Sequence, residues 1–191
     1  MIAVWIVVAI VAAMVLYTIY RFNSLVRLRT RTQEAWSEID VELKRRHDLI
    51  PNLVQTVQGY AAHERRVFDE VTQARATAVS AVQTGNPTAM AGAEDALTGS
   101  LGRLMAVAEN YPQLRAADLF LNLQEQLTTT EDKVEFSRRF YNGNVRDFNT
   151  ALQRFPTNLF ARGLGFQPFA FFATTDSERL APTVRFTATQ Q

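Results

Sequence analysis

An all-α chain is predicted by three observations: an uncharged apolar run at the N-terminus, apolar residues recurring every three or four positions from Leu25 to Leu152, and no alternating strand pattern. The simplest arrangement is an antiparallel, up-and-down four-helix bundle preceded by a transmembrane helix. At 191 residues the chain suits one bundle plus an appendage. The expected divisions are an anchor over 1–22, the bundle over 23–154, a Phe-rich segment over 155–173 and a disordered tail over 174–191.

Met1 to Tyr20 (MIAVWIVVAIVAAMVLYTIY) carries no charged side chain. About 20 apolar residues rising ~1.5 Å each cross the ~30 Å hydrocarbon layer, so the run reads as a membrane helix and membrane lipid as its partner. A secretory leader would need a basic n-region and a shorter apolar core; neither is met, although AIVAA imitates a cleavage site. Arg21, Arg27, Arg29 and Arg31 follow the run before the first acid, Glu34. The positive-inside rule then puts the N-terminus outside and the rest of a single-pass protein in the cytoplasm. Trp5 at one end and Tyr17 and Tyr20 at the other suit the two interfacial belts.

Four helical stripes follow. The first holds Leu25, Leu28, Ala35, Trp36, Ile39 and Leu43; the second runs through Leu53, Val57, Tyr60, Val67, Val71, Ala74 and Ala78. Met90, Ala93, Leu97, Leu101, Leu104 and Ala108 form the third, and Leu119, Leu123, Leu127, Thr130, Val134, Tyr141, Val145, Phe148 and Leu152 the fourth. Between the second and third, TGNPT offers a glycine stop, Asn86 as N-cap and Pro87 at the first helical position. Pro112 ends the third helix, and Asp118 is placed to cap the fourth.

The stretch RRHDLIPNLV, Arg45 to Val54, interrupts the first two stripes. With Asp48 as N-cap, Pro51 falls in the first turn, where its missing N–H matters little, and Lys44, Arg45 and Arg46 end the preceding helix at its negative pole. The stretch therefore reads as a hinge between two antiparallel helices. Its rival is one long helix from about residue 22 to 83, kinked at Pro51.

The 20 basic and 19 acidic residues give a formal charge of +1, so no global field recruits nucleic acid. Absence of cysteine removes disulfides, thiolate metal sites and cysteine nucleophiles. The paired Glu-x-x-His motif of di-metal bundles is missing: Lys44 and Tyr60 stand three before His47 and His63, and Val67 stands where a zincin-like second histidine would be. No metal or other cofactor is expected. Asp40, Glu64 and Glu131 can lie on or beside core stripes, yet no nucleophile or oxyanion loop accompanies them, and Arg46, Arg138 and Arg139 offer each a structural ion pair. No catalytic residue is assigned.

The segments AWSEIDVELKRR, HDLIPNLVQTVQGYAAHE, LGRLMAVAENYPQLRA, TEDKVEFSRRFYN and FPTNLFARGLGF, in that order, resemble the LemA family over about Asn23 to Phe172. The resemblance implies a bacterial membrane protein with a helical bundle domain, hence an inner-membrane address, and brings no catalytic residues. Thr174 to Gln191 matches none of these motifs. Asp40, Arg46, Asp48, Asn52, Arg139, Tyr141, Asn142 and Asn149 recur within the motifs and can form one hydrogen-bonded layer that specifies the helix arrangement, or line a ligand groove.

FPTNLFARGLGFQPFAFF, Phe155 to Phe172, holds six phenylalanines, too many apolar groups to leave in water without purpose. After an even number of antiparallel helices the chain returns to the membrane end. Phe166, Phe169, Phe171 and Phe172 therefore read as interfacial anchors beside the bilayer, or alternatively as a cap on the open end of the bundle. The functional expectation is a non-enzymatic, membrane-tethered interaction module for other membrane or envelope proteins. The alternative is a lipid- or small-ligand-binding protein with a groove between helices. Oligomeric state is not legible.

Overall fold

A computed structural model describes residues 1–172, and every regular element in them is helical: α1 (Ile2–Gln58), α2 (Arg65–Thr84), α3 (Pro87–Glu109), α4 (Pro112–Arg115), α5 (Asp118–Gln153) and α6 (Thr157–Phe160). The tail expected at 174–191, and Ala173 before it, lie outside the described residues.

The hinge expected at Asp48 and Pro51 is replaced by continuous helix, since α1 runs through both positions. Asp48 does not cap; it pairs with Lys44 one turn earlier at 2.7 Å, the geometry of a helix interior. Pro51 forfeits the bond to the His47 carbonyl, and an interior proline costs about 3 kcal/mol. Against that, Ile50, Leu53 and Val57 stay in phase and fully buried, each contributing roughly 1.5–3 kcal/mol. The stripe wins. The kinked helix to residue 83 is also not found, because the chain turns at 59–64. There the Gly59 amide donates to the Gln55 carbonyl, and the Tyr60 and Ala61 amides both donate to Val57. Tyr60, expected on the second stripe, is exposed as a result.

The chain divides into two compact units, and α1 and α5 contribute to both. The first unit comprises Met1–Leu49 and Asn122–Phe171. Its α1 stripe buries Leu25, Ala35, Ile39 and Leu43; its α5 stripe buries Leu123, Leu127, Val134, Tyr141, Val145 and Phe148. Arg46 meets Glu131, the Trp36 ring lies 5.1 Å from that of Tyr141, and Leu25 clusters with Phe148, so contacts climb α5 as they descend α1.

The second unit comprises Ile50–Leu121 and, of the described residues, Phe172. Here α2 packs on α3 across a two-residue link. Gly85 ends α2 with φ at 63°, a conformation that favours a residue without Cβ, and its amide donates to the Val82 carbonyl. The Asn86 side chain accepts from the amides of Thr88 and Ala89, with Pro87 opening α3. Glu70 on α2 accepts from Arg66 at 2.9 Å and from Arg103 on α3 at 3.0 Å. These bonds hold its carboxyl below its ordinary pKa, Arg66 more than Arg103. Asp118, expected as a cap, is itself the first residue of α5, after the short turn of α4. Leu119 is exposed while its neighbour Phe120 is buried, shifting the start of the fourth stripe by one position.

Candidate functional site

Three of the eight polar residues expected to form one layer lie on the surface. Asp48 and Asn52 are exposed on α1, and Arg139 is exposed on α5, where it pairs with Glu135 at 2.9 Å. Asn142 is half-buried with a partner of its own. Arg46 is buried and reaches out at 3.2 Å to Glu131, half exposed, so the charge pair sits at the edge of the unit. Asp40 is half-buried, and burial pushes its carboxyl above the ordinary carboxylate range.

Tyr141 and Asn149 share a task. The Tyr141 hydroxyl donates to the Ala170 carbonyl at 2.9 Å. The Asn149 amide nitrogen donates to the Phe169 carbonyl at 2.9 Å, and its oxygen accepts from the Phe169 amide at 3.0 Å. Together they tie the non-helical strip after α6 to α5 through backbone groups that would otherwise lack partners. Burial raises the Tyr141 phenol's pKa, which keeps the donor proton in place.

That strip corrects the expectation for the Phe-rich segment. Phe166 is buried in the cluster with Leu25, Phe148 and Ala161; its ring lies 5.6 Å from Phe22 and 6.3 Å from Phe148. Phe169 is half-buried with its ring 5.2 Å from Phe148, and Phe172 is buried. The surface of Phe166 and Phe172 is taken up by packing, as is part of that of Phe169, which is what a cap on the bundle would require of them. Of the four, only Phe171 stays exposed. The exposed apolar residues are others: Phe155 at 78%, Leu159 at 73% and Leu164 at 48%. Between them, buried Thr157 accepts a hydrogen bond at 3.1 Å from the Arg21 side chain. No motif or periodicity marks Thr157, whose role depends on a partner 136 residues away. An adjacent cavity of about 380 Å³ is lined by Asn149, Gln153, Asn158, Arg162, Phe166 and Pro168 among others.

A second feature of the first unit stands out of phase with its core stripes. Val41 on α1 and Phe136 and Phe140 on α5 are exposed, at 62%, 61% and 49%. The two rings stack nearly parallel, and Val41 and Phe136 line an open groove of about 370 Å³ with Glu38, Glu42, Lys133 and Ser137. The signal that finds them is apolar residues standing out of phase with a clear core stripe.

The N-terminal part of α1 is long and apolar enough to cross a membrane, and none of that stretch is buried. Trp5, Tyr17 and Tyr20 are exposed on it; Arg27, Arg29 and Arg31 project into solvent beyond it. Among the described residues no three acids or histidines gather as metal ligands.

The family model described as "LemA family" matches residues 35–186. It extends into 174–191, which the sequence motifs left out. Magnetosome protein MamQ 2 of Paramagnetospirillum magneticum (strain AMB-1) is 28% identical, the match covering 85% of this chain and 68% of that protein. Magnetosome protein MamQ of Magnetospirillum gryphiswaldense is 27% identical, covering 80% of this chain and 64% of its own length. Protein LemA of Metamycoplasma hominis is 28% identical, with 87% of this chain and 76% of that protein covered. None of these names states a catalytic activity.

Proposed function

The chain belongs to the LemA family, and we propose on that premise that it acts without catalysis, as a helical module tethered to a bacterial inner membrane and bound through its soluble surface to other membrane or envelope proteins. The observation that carries this reading is the exposed apolar group Val41, Phe136 and Phe140. A soluble face normally avoids clustering such side chains unless something covers them.

Several features support the finer points. An α1 start that is apolar on every side satisfies hydrocarbon as its solvent, and the arginines behind it favour the N-out orientation with the soluble part in the cytoplasm. Arg31 stands ten residues past Arg21, or about 15 Å along the helix, so Arg21 and Arg27 are the members nearest the headgroups. The opposed stepping of contacts along α1 and α5 suits antiparallel packing of a bundle. Tyr141 and Asn149 have structural roles in this reading.

A photo-crosslinking residue placed at Phe136 in native membranes is expected to capture a membrane or envelope protein, and Val41→Asp to abolish that capture. Equal capture at Phe136 and at exposed Glu125 would sink the reading. The cavity beside Arg162 favours a second one, binding of a lipid or small ligand. Native mass spectrometry would then find a bound species lost on Phe166→Trp, which fills the space.

A further inference from the structure

We propose that the segment 154–164 is a second membrane contact, in which Phe155 and Leu159 enter the interfacial layer and Arg154 and Arg162 meet the phosphates of anionic lipids. The proposal rests on the reading of α1 as a membrane span. Arg21 is the first charge after the apolar run, so it marks where hydrocarbon ends. Thr157 is bonded to that side chain, and the next aromatic after it, Phe22, touches Phe166. The segment is thereby pinned at the depth of the headgroups by two contacts, one at the first residue of α6 and one after its end.

Distance then decides what its exposed side chains reach. Phe155 and Leu159 each stand two residues from Thr157, at most about 7 Å of chain even when extended. The headgroup region on each side of the hydrocarbon is roughly 5–8 Å thick. Two large apolar side chains more than 70% exposed thus lie within reach of an apolar boundary. Their flanking residues, Arg154 and Arg162, are exposed and of the sign that anionic lipid attracts. No acid stands between Asp147 and Phe172 to oppose them. Buried Phe166 and half-buried Phe169 provide the footing and the exposed pair the contact, so the two readings of the Phe-rich segment each describe a different part of it.

The chain has no cysteine, which makes single labels clean. The full-length chain carrying Leu159→Cys or Phe155→Cys is labelled with the fluorophore NBD and reconstituted in phosphatidylcholine–phosphatidylglycerol vesicles with spin-labelled quencher lipids. Labels at Phe136→Cys and Ile10→Cys serve as water-exposed and membrane-spanning references. The expected result is quenching at 155 and 159 at least about threefold above that at 136. Quenching at 159 equal to that at 136, with the label at 10 strongly quenched, overturns the proposal while sparing the span. An unquenched label at 10 overturns both. Arg154→Gln with Arg162→Gln should lift the label at 159 toward water in mixed vesicles, and an unchanged depth overturns the phosphate contacts.

Discussion

The two halves of α1 share one continuous helix and meet opposite conditions. From Met1 to Tyr20 apolar side chains surround the helix and stay exposed; beyond them Leu25, Ala35, Ile39 and Leu43 occupy one stripe and are buried, with Val26 and Val41 left outside it. The difference lies in composition and in angular distribution: the first half carries no charge, and the second sets Arg, Lys, Asp and Glu around its apolar stripe. A stripe needs a protein neighbour, whereas an all-round coat has no side left over for water and suits lipid. Because the backbone is continuous, both regimes meet between Arg21 and Leu25, where the segment after α5 also attaches. Changes aimed at either half should therefore separate insertion from folding.

The largest separation is expected from Val8→Arg combined with Val11→Arg. Two arginines near the centre of a span disfavour insertion by about 5–7 kcal/mol, at about 2.5–3.5 each. The chain should move from the carbonate-resistant membrane fraction to the soluble or aggregated one. Melting of detergent-solubilised protein should change by less than about 0.5 kcal/mol, as for exposed positions generally. A membrane fraction unchanged by both arginines would break the comparison.

On the other side stands Phe148→Ala. Phe148 is fully buried and touches Phe166 and Phe169, so truncation should cost about 3–5 kcal/mol in chemical denaturation. Membrane association should persist. Smaller again is Asn149→Ala, which leaves the Phe169 amide and carbonyl without their side-chain partner and should cost about 1–3 kcal/mol. Hydrogen exchange at Phe169 should accelerate before the rest of α5 does. Uniform acceleration would mean that the strip is held by ring packing and not by this bond.

How far the sequence announced these features follows from where each signal resides. Periodicity reported the stripes of α1, α3 and α5, because burial of a face acts on many residues in register; it mistook Leu119 for Phe120 only at a helix end, where a single position can be displaced. The Gly85, Asn86 and Pro87 boundary was legible because capping is local chemistry. At Asp48 and Pro51 the local signals were equally clear and lost to Ile50, Leu53 and Val57, whose burial is tertiary. The Phe-rich segment has no period, and which rings turn inward is decided by Tyr141 and Asn149 binding its backbone. Three members fall outside the expected polar layer for a related reason: shared motifs give composition without direction, and Asp48, Asn52 and Arg139 point outward.

The smallest expected effects are two opposite pH dependences, one in each unit. Burial raises the pKa of Asp40 in the folded chain, so between its unfolded and folded values the native state holds the extra proton. Its favourable contribution is complete below the unfolded value and is lost as pH rises through the folded one. For Glu70 the hydrogen bonds from Arg66 and Arg103 lower the folded pKa, so the unfolded chain holds the extra proton. That contribution is present above the unfolded value and disappears as pH falls through the folded one. Thermal melts from about pH 3 to 7, spanning ordinary carboxylate titration, should therefore show Asp40→Asn gaining on the parent chain as pH rises. Glu70→Gln should trail it at neutral pH and rejoin it in acid. Parallel curves for all three proteins would mean that neither carboxylate differs between the folded and unfolded chain, and the contrast between a desolvated acid on α1 and a doubly hydrogen-bonded one on α2 would be lost.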